Sequence, residues 1–278
     1  MSARVSLDPV DPSRVARTCR AWLQRGWEDL LVELSTAVAA REPGVKATVT
    51  ACRTERDPLR GTRYTPARFA STLDLIGERP LVAQVDVYTE ESHRAYGCAT
   101  LTATRVVDDN AWVRLEIAAD LGDAFDPDTG YDRWVDFMTE VLSDADPAYG
   151  EITTVRGDGL NTELDLALRR LDRDSIEQSR RVLRGYAWVT VVPQELVERL
   201  GGVAAIEGTG AVTQVRPLAS GGVLLRATPS PEEYDDAAMD RLFRLLAPVL
   251  PVGEPRTLPG WPTRHQVVYV DAATVVDR

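Results

Sequence analysis

The sequence predicts an α+β fold with a mainly antiparallel sheet and helices packed on it. Some short segments alternate apolar and polar residues at the period of a strand, and longer segments repeat apolar residues at the spacing of a helix. A turn at Asp108-Asp109-Asn110 joins two strand candidates directly, which is typical of antiparallel neighbours. With 278 residues, 44% of them hydrophobic, the chain is long enough for a single large domain over 1–278 or for two fused halves.

The first half contains clear helix starts between its strand candidates. Asp11 as N-cap and Pro12 at the first helical position start a helix whose apolar residues continue to Val38, with an interruption at Gly26. Thr65 caps a second helix in the same way. In the last strand candidate of this half, one face is apolar and the other carries both polar and apolar residues. This pattern predicts a sheet with one buried face. The predicted strands are 46–53, 81–89, 96–105 and 111–118, and the predicted helices are 11–38, 65–76 and 131–142.

The second half begins with a strand over 151–156 and helices over 161–171, capped by Asn161, and 175–183. Two later strands, 211–218 and 222–227, are joined by a tight glycine turn. Ser230 followed by Pro231 and by Glu233 is a helix-start box, so a helix is expected from there to Pro248. The proline-rich remainder is expected to be extended, with a last strand over 266–270.

The stretch from Gly185 to Gly202 is expected to form the centre of this half. Both faces of 186–192 are apolar, so this strand belongs in the middle of a sheet that is covered on both sides. Pro193 suits the first turn of a following helix, and Gly201 can close that helix in the left-handed conformation. Trp188 is therefore predicted to be a core residue.

The order of elements is similar in the two halves. Strands, an acidic loop or cap with a proline and then a helix with an apolar stripe occur in 81–142 and again in 186–247. This order is consistent with a diverged duplication that gives two similar α+β halves, about 1–145 and 146–278. Chance similarity is the alternative, because helix patterns resemble one another.

Charge and hydropathy exclude several classes of function. The formal net charge is −11, and a surface this acidic repels nucleic acid and anionic membranes. The chain has no run of about 18 apolar residues, and its first residues lack the apolar core of a secretory signal, so a cytoplasmic protein is expected. The three cysteines have no spacing typical of a zinc site and are expected to be buried free thiols.

Residues with catalytic or metal-binding spacing are nearly absent. The two histidines, His93 and His265, lie in polar surroundings and no nucleophile elbow accompanies them. Asp126, Asp128 and Asp132 resemble a calcium loop only loosely, because the loop glycine is one position early and the twelfth position is Phe137. The sequence therefore predicts no catalytic residue, no cofactor and no metal.

Acidic side chains at two helix starts are the candidate binding residues. Carboxylates held on rigid helix starts can attract a basic partner and pair with its arginines and lysines. The chain is therefore expected to bind a basic protein. The alternatives are an enzyme or small-molecule binder with a cleft of scattered carboxylates and arginines, lined by Trp112 or Trp188, and a component of a secretion or phage-like assembly. The candidate binding residues are Asp126, Asp128, Asp132, Glu232, Glu233, Asp235 and Asp236.

A further set of residues, from Pro147 onwards, forms a pattern of strand, helix stop and turn. It comprises Pro147–Gly150, Tyr186-Ala187-Trp188-Val189-Thr190, Glu195-Leu196, Arg199-Leu200-Gly201-Gly202, Gly221-Gly222-Val223-Leu224-Leu225 and Tyr234. In this pattern the chain resembles a bacterial family of type VI secretion immunity proteins for VRR-NUC nuclease toxins. The resemblance implies a cytoplasmic protein without catalytic residues that binds and neutralises a toxin encoded beside it. A nuclease would present a basic face, with which the acidity of this chain is compatible.

Overall fold

The computed structural model describes residues 1–8, 10–32, 46–52, 61–76, 82–88, 99–105, 112–119, 127–154, 161–257 and 267–276. Its internal contacts divide the chain into two compact units, Met1–Ala145 (unit 1) and Asp146–Arg278 (unit 2). The predicted fold class is confirmed, since helices accompany antiparallel strand pairs in both units. Descent of the two units from a duplication stays a prediction.

The sheet of unit 1 has six strands among the described residues, in the order β3-β2-β4-β5-β6-β1. All of its pairings are antiparallel, as predicted for β5 and β6 from Asp108-Asp109-Asn110, which lies outside the described residues. The sequence did not predict β1, whose six residues pair with β6 from Ser2↔Ala118 to Leu7↔Val113. The strands are β1 Ser2–Leu7, β2 Lys46–Cys52, β3 Thr62–Arg63, β4 Val82–Tyr88, β5 Ala99–Arg105 and β6 Val113–Ala119.

Helices of unit 1 cover the apolar face of this sheet. The first is α1, Pro12–Arg25, and the Asp11 carboxylate accepts from two backbone N–H groups of its first turn, as predicted. A π-helical segment, Gly26–Leu31, follows it. Gly26 allows this segment to lie against the sheet, because a Cβ there would be 2.8 Å from Leu101 Cδ1. The remaining helices are α2 Pro66–Ile76 and α3 Pro127–Leu142, which starts one turn earlier than predicted. The last part of the predicted first helix, residues 33–38, lies outside the described residues.

The described strands of unit 2 follow the order β7-β8-β10-β9, with antiparallel pairing throughout. The central position predicted for the strand before Pro193 is confirmed, since β8 has a neighbour on each side and all four of its residues are fully buried. The strand is shorter than predicted. The strands are β7 Pro147–Thr153, β8 Val189–Val192, β9 Gln214–Pro217 and β10 Val223–Arg226.

The helices of unit 2 depart most from the prediction. Thr162, not Asn161, caps the short α4, which ends at Ala167 before Arg169 takes a positive φ of 54°. Ser230 starts only a 3₁₀ turn, and the long helix begins five residues later with Asp235 as its cap. Residues 267–270 form no strand, and the Val268 N–H donates to the Tyr186 hydroxyl at 2.7 Å. The helices are α4 Glu163–Ala167, α5 Asp172–Glu177, α6 Gln194–Arg199, α7 Val203–Gly208, α8 Asp236–Leu246 and α9 Ala273–Val276.

The core of unit 2 is apolar and continuous. It joins the inner side chains of β8 and β10 to one face of α8, which contributes Met239, Leu242, Phe243 and Leu246. Predicted core burial is confirmed for Trp188, which is 1% exposed. None of the helices that the structure describes is long and apolar enough to cross a membrane.

Candidate partner-binding surfaces

The first predicted acidic cluster lies at the start of α3 in unit 1. Asp126 is outside the described residues, and Asp128 lies in the first turn of the helix. Asp132 is exposed one turn further on. Among the residues that the structure describes, no group of three or more histidine, cysteine or acidic side chains is placed to hold a metal ion.

The second predicted acidic cluster lies just before α8 in unit 2. Glu232, Glu233, Asp235 and Asp236 are all exposed within five consecutive positions. Their local roles differ: the Ser230 hydroxyl donates to Glu233 Oε1 at 3.1 Å, and Asp235 Oδ1 accepts from the Ala238 N–H at 2.8 Å. Asp235 therefore caps the helix, whereas Glu232 and Asp236 project charge from the same turn. We call these four residues the α8 acidic cluster.

Negative charge at this position is stabilised by the helix itself. The first N–H groups of α8 point toward the cluster, and the helix dipole favours anions at this end by about 0.3–1 kcal/mol each. Four carboxylates therefore lie within five consecutive positions at this helix start. The cluster can pair with several basic side chains at once, which is the interaction that the sequence predicts for it.

The tryptophan and glycines of the resemblance pattern have structural roles. Trp188 Nε1 donates to the Thr228 carbonyl at 2.9 Å from within the core. Gly201 and Gly202 have φ values of +88° and +86°, which only glycine adopts readily, and they end α6. At Gly222 a Cβ would be 2.8 Å from the Val192 carbonyl oxygen. These residues shape unit 2, so they are not candidates for a binding surface.

The charged residues of the pattern hold α6 in place. The Arg180 guanidinium donates to Glu195 Oε1 at 3.1 Å and pairs with Asp146 Oδ2 at 3.0 Å. Arg199 donates to the carbonyls of Arg181 and Pro248, the latter at 2.8 Å. Burial lowers the pKa of Arg180, but its two acidic partners outweigh that effect and raise it. Arg180 thus stays charged, and both arginines connect α6 to neighbouring loops.

Unit 2 also contains a buried ionic cluster that the sequence did not predict. Asp165, which is 0% exposed, accepts from Arg184 Nη2 at 3.1 Å and from Arg170 Nη1 at 3.2 Å. Ser175 Oγ donates to Asp165 Oδ1 at 2.5 Å and accepts from Arg184 Nε at 3.0 Å. Asp165 also closes the capping box of α4 with Thr162. The carboxylate therefore fixes α4, α5 and the chain before β8 to one another.

A tyrosine and a glutamate extend the buried polar region of unit 2. The Tyr149 hydroxyl donates to Glu151 Oε2 at 2.8 Å, and the Arg184 guanidinium lies 5.6 Å from the centre of the Tyr149 ring. Burial, followed by the charge of Glu151, holds the pKa of Tyr149 well above its usual value. The phenol therefore keeps its proton and acts as a donor within the unit.

One face of the unit 1 sheet is polar along its whole described width. Register places its side chains in rows across the strands, such as Arg4↔Glu116↔Thr102↔Gln84↔Thr50. Alternating threonines in β5 are the sequence signal for this face, but without β1 its arginine was missed. We call the following set the polar face: Ser2, Arg4, Ser6, Thr48, Thr50, Gln84, Asp86, Thr100, Thr102, Thr104, Arg114, Glu116 and Ala118.

An aspartate on the polar face is held by its neighbours. Gln84 Nε2 donates to Asp86 Oδ1 at 2.7 Å, and Thr100 Oγ1 donates to the same oxygen at 3.1 Å. Burial raises the pKa of the Asp86 carboxyl, although both hydrogen bonds act in the opposite direction. This end of the polar face is therefore a satisfied hydrogen-bond network.

Comparison with known proteins identifies a solved structure with a similar fold. No protein-family model matches the chain, and no curated protein matches it. Among solved structures, a Pseudomonas aeruginosa T6SS protein, PA0821, has a similar fold with a TM-score of 0.58 and 11% sequence identity. The match covers 99% of this chain and 79% of that protein. At this identity the likeness shows a shared fold.

Proposed function

We propose that this chain is a non-enzymatic immunity protein of a type VI secretion system that neutralises a bacterial toxin by direct binding. The observation that carries the proposal is the fold that it shares with a T6SS protein of Pseudomonas aeruginosa over 99% of its length. The resemblance of Gly185–Gly202 and the later glycine turn to immunity proteins for VRR-NUC toxins supports the same assignment. The proposed partner is therefore a basic toxin, with a nuclease as the specific candidate.

The α8 acidic cluster is the proposed contact surface. It is exposed, lies on the start of a rigid helix and projects negative charge that would be complementary to a basic nucleic-acid-binding face. Blocking that face would exclude nucleic acid from a nuclease without any chemistry by the immunity protein. The proposal thus requires affinity and charge, and no catalytic residue.

Affinity measurements with the product of the neighbouring gene test the proposal. We expect the two purified proteins to bind, with an association rate that falls steeply as salt is raised. A variant with Glu232→Gln, Glu233→Gln and Asp236→Asn removes three charges and keeps the helix cap at Asp235. We expect it to associate about tenfold or more slowly at low salt.

A matched control removes the same charge elsewhere in unit 2. Asp174, Glu207 and Glu254 are exposed acids outside the α8 acidic cluster. Their replacement by the corresponding amides should leave association nearly unchanged. Equal losses in the two triple variants would contradict the proposed surface, and an absence of binding by the unmodified chain would contradict the proposed function.

A further inference from the structure

A tight turn divides the α8 acidic cluster into two parts. Tyr234 has φ −78° and ψ 66°, which is the conformation of the central residue of an inverse γ-turn. The turn is closed by the Asp235 N–H, which donates to the Glu233 carbonyl at 2.9 Å. The two glutamates of the cluster therefore lie in the 3₁₀ turn before Tyr234, and its two aspartates lie at the start of α8 after it.

A continuous helix through this segment would direct two of the carboxylates toward the core. Residues three or four positions apart lie on the same face of a helix. Met239 and Leu242 belong to the buried face of α8. On a continuous helix, Asp235 and then Glu232 would extend that face toward the N-terminus. In the structure both acids are exposed, so the γ-turn changes the direction of the chain and leaves them facing solvent instead of the core.

The side chain of Tyr234 takes the inner position at this turn. It packs against the apolar core of unit 2, and its hydroxyl is enclosed although the residue as a whole is half-buried. Within the described part of the chain, this hydroxyl has no hydrogen-bond partner. Burial, followed by the neighbouring Tyr186 and Glu151 side chains, holds the pKa of Tyr234 well above its usual value, so the phenol is neutral. The ring therefore makes the contact with the core, and the hydroxyl adds no hydrogen bond to it.

We propose that Tyr234 is a positioning residue for toxin binding, which holds the α8 acidic cluster in its exposed arrangement. Ser230-Pro231-Glu232-Glu233 is a helix-start box, so the local sequence alone favours a longer helix. The ring of Tyr234 opposes this tendency because it anchors the γ-turn to the core. A cluster that is ordered before binding loses less conformational entropy when the partner docks. This inference rests on the proposed function and adds to it the residue that orients the carboxylates.

Two substitutions of Tyr234 separate the role of the ring from that of the hydroxyl. Tyr234→Phe keeps the ring and removes an unpaired polar group, so the melting temperature should stay equal or rise. Its affinity for the product of the neighbouring gene should stay within about twofold of that of the unmodified chain. Tyr234→Ala removes the anchor, so the NMR chemical shifts of residues 230–235 should move toward helical values. We expect its dissociation constant to rise about fivefold or more at low salt.

Leu245→Ala is the matched control. Leu245 is also partly buried against the core of unit 2, but it lies near the other end of α8. This variant should lower the melting temperature and leave the chemical shifts of residues 230–235 and the dissociation constant nearly unchanged. Equal weakening of binding by Leu245→Ala and Tyr234→Ala would overturn the proposal. A lower melting temperature or weaker binding in Tyr234→Phe would also overturn it, because the hydroxyl would then have a role of its own.

The two readouts distinguish failure of this inference from failure of the proposed function. The chemical shifts report the anchor without any toxin present, so unchanged shifts in Tyr234→Ala would overturn the inference alone. Changed shifts with unaltered affinity would show that the anchor shapes the turn and does not position the cluster for binding, which would also overturn it. Absence of binding by the unmodified chain would contradict the proposed function, and the positioning role with it.

Discussion

The buried carboxylate of Asp165 is expected to be the most sensitive charge in unit 2. Asp165→Asn keeps the shape of the side chain and removes its charge. The new amide keeps one oxygen acceptor and places an NH₂ donor where the carboxylate had its second acceptor. In the unmodified chain Arg184 Nη2 and Arg170 Nη1 each donate to one carboxylate oxygen, at 3.1 and 3.2 Å. One guanidinium would therefore face a donor.

The size of the loss follows from how deeply each arginine is buried. The side chain of Arg184 is 4% exposed, and that of Arg170 is 16% exposed. Removing one member of a buried ion pair leaves an uncompensated charge, which typically costs about 3–5 kcal/mol. Most of this cost should come from Arg184, because solvent partly screens Arg170. A loss of this size is a large fraction of the free energy of unfolding of a typical domain, which is roughly 5–15 kcal/mol.

Urea unfolding followed by circular dichroism measures this loss, and Asp240→Asn provides the control. Asp240 pairs with Arg244 at 2.7 Å, but both side chains are exposed, so its removal should cost no more than about 1 kcal/mol. The double variant with Arg184→Met should regain part of the Asp165→Asn loss, since it removes the charge left unpaired. A loss below about 1 kcal/mol, or additive losses in the double variant, would refute the reasoning.

Three further outcomes are expected. Trp188→Ala should destabilise the protein by about 3–5 kcal/mol in the same unfolding assay, because it empties a core site and removes one of the donors to the Thr228 carbonyl. A loss below about 1 kcal/mol would show that the ring is not core. Burial raises the pKa of Cys19 to about 12, so a thiol reagent at pH 8 should label Cys19 only after denaturant is added, and rapid labelling of the native protein would contradict its burial. The folded-state pKa of Asp86 is raised above its ordinary value of 3.8, so its charge costs stability as pH rises through the folded pKa. The stability of Asp86→Asn relative to the unmodified chain should therefore rise as pH rises from 3.8 toward 7, and an equal difference at all pH values would contradict this origin.

Local signals predicted helix starts where a single residue decides them. The side chains of Asp11 and Thr65 each accept hydrogen bonding from the backbone of the turn that follows, as their positions in the sequence indicate. The same reasoning selected Ser230, but Asp235 is an equally good cap and lies closer to the apolar stripe of α8. When two capping residues lie within one turn or two, packing of the helix face decides between them.

Apolar periodicity predicted the central strand but missed four described elements, β1, β3, α7 and α9. The buried face of β6 was identified from its alternating residues, and the two buried faces of β8 from its apolar residues on both sides. In both strands the residue type itself indicates which side chains are buried. The strand β1 was missed since three of its six residues are polar and lie on the polar face. The short helix α7 was missed because its glycine-containing end reads as a turn.

Interactions between residues that are far apart in the chain could not be predicted from the sequence. Asp165 and Arg184 are separated by 19 positions, and only the fold brings them within hydrogen-bond distance. The arginines of the polar face meet Glu116 through strand register, which follows from the pairing of β1 with β6. By contrast, the α8 acidic cluster was predicted from consecutive residues, and its exposure is consistent with a contact surface.

Growth of bacteria that express the neighbouring toxin gene tests the central claim most directly. The account predicts that co-expression of this chain restores growth, and that the variant with Glu232→Gln, Glu233→Gln and Asp236→Asn restores it poorly at equal protein levels. The triple control at Asp174, Glu207 and Glu254 should restore growth fully. Continued growth arrest in the presence of the unmodified, folded chain would contradict the claim that it neutralises this toxin.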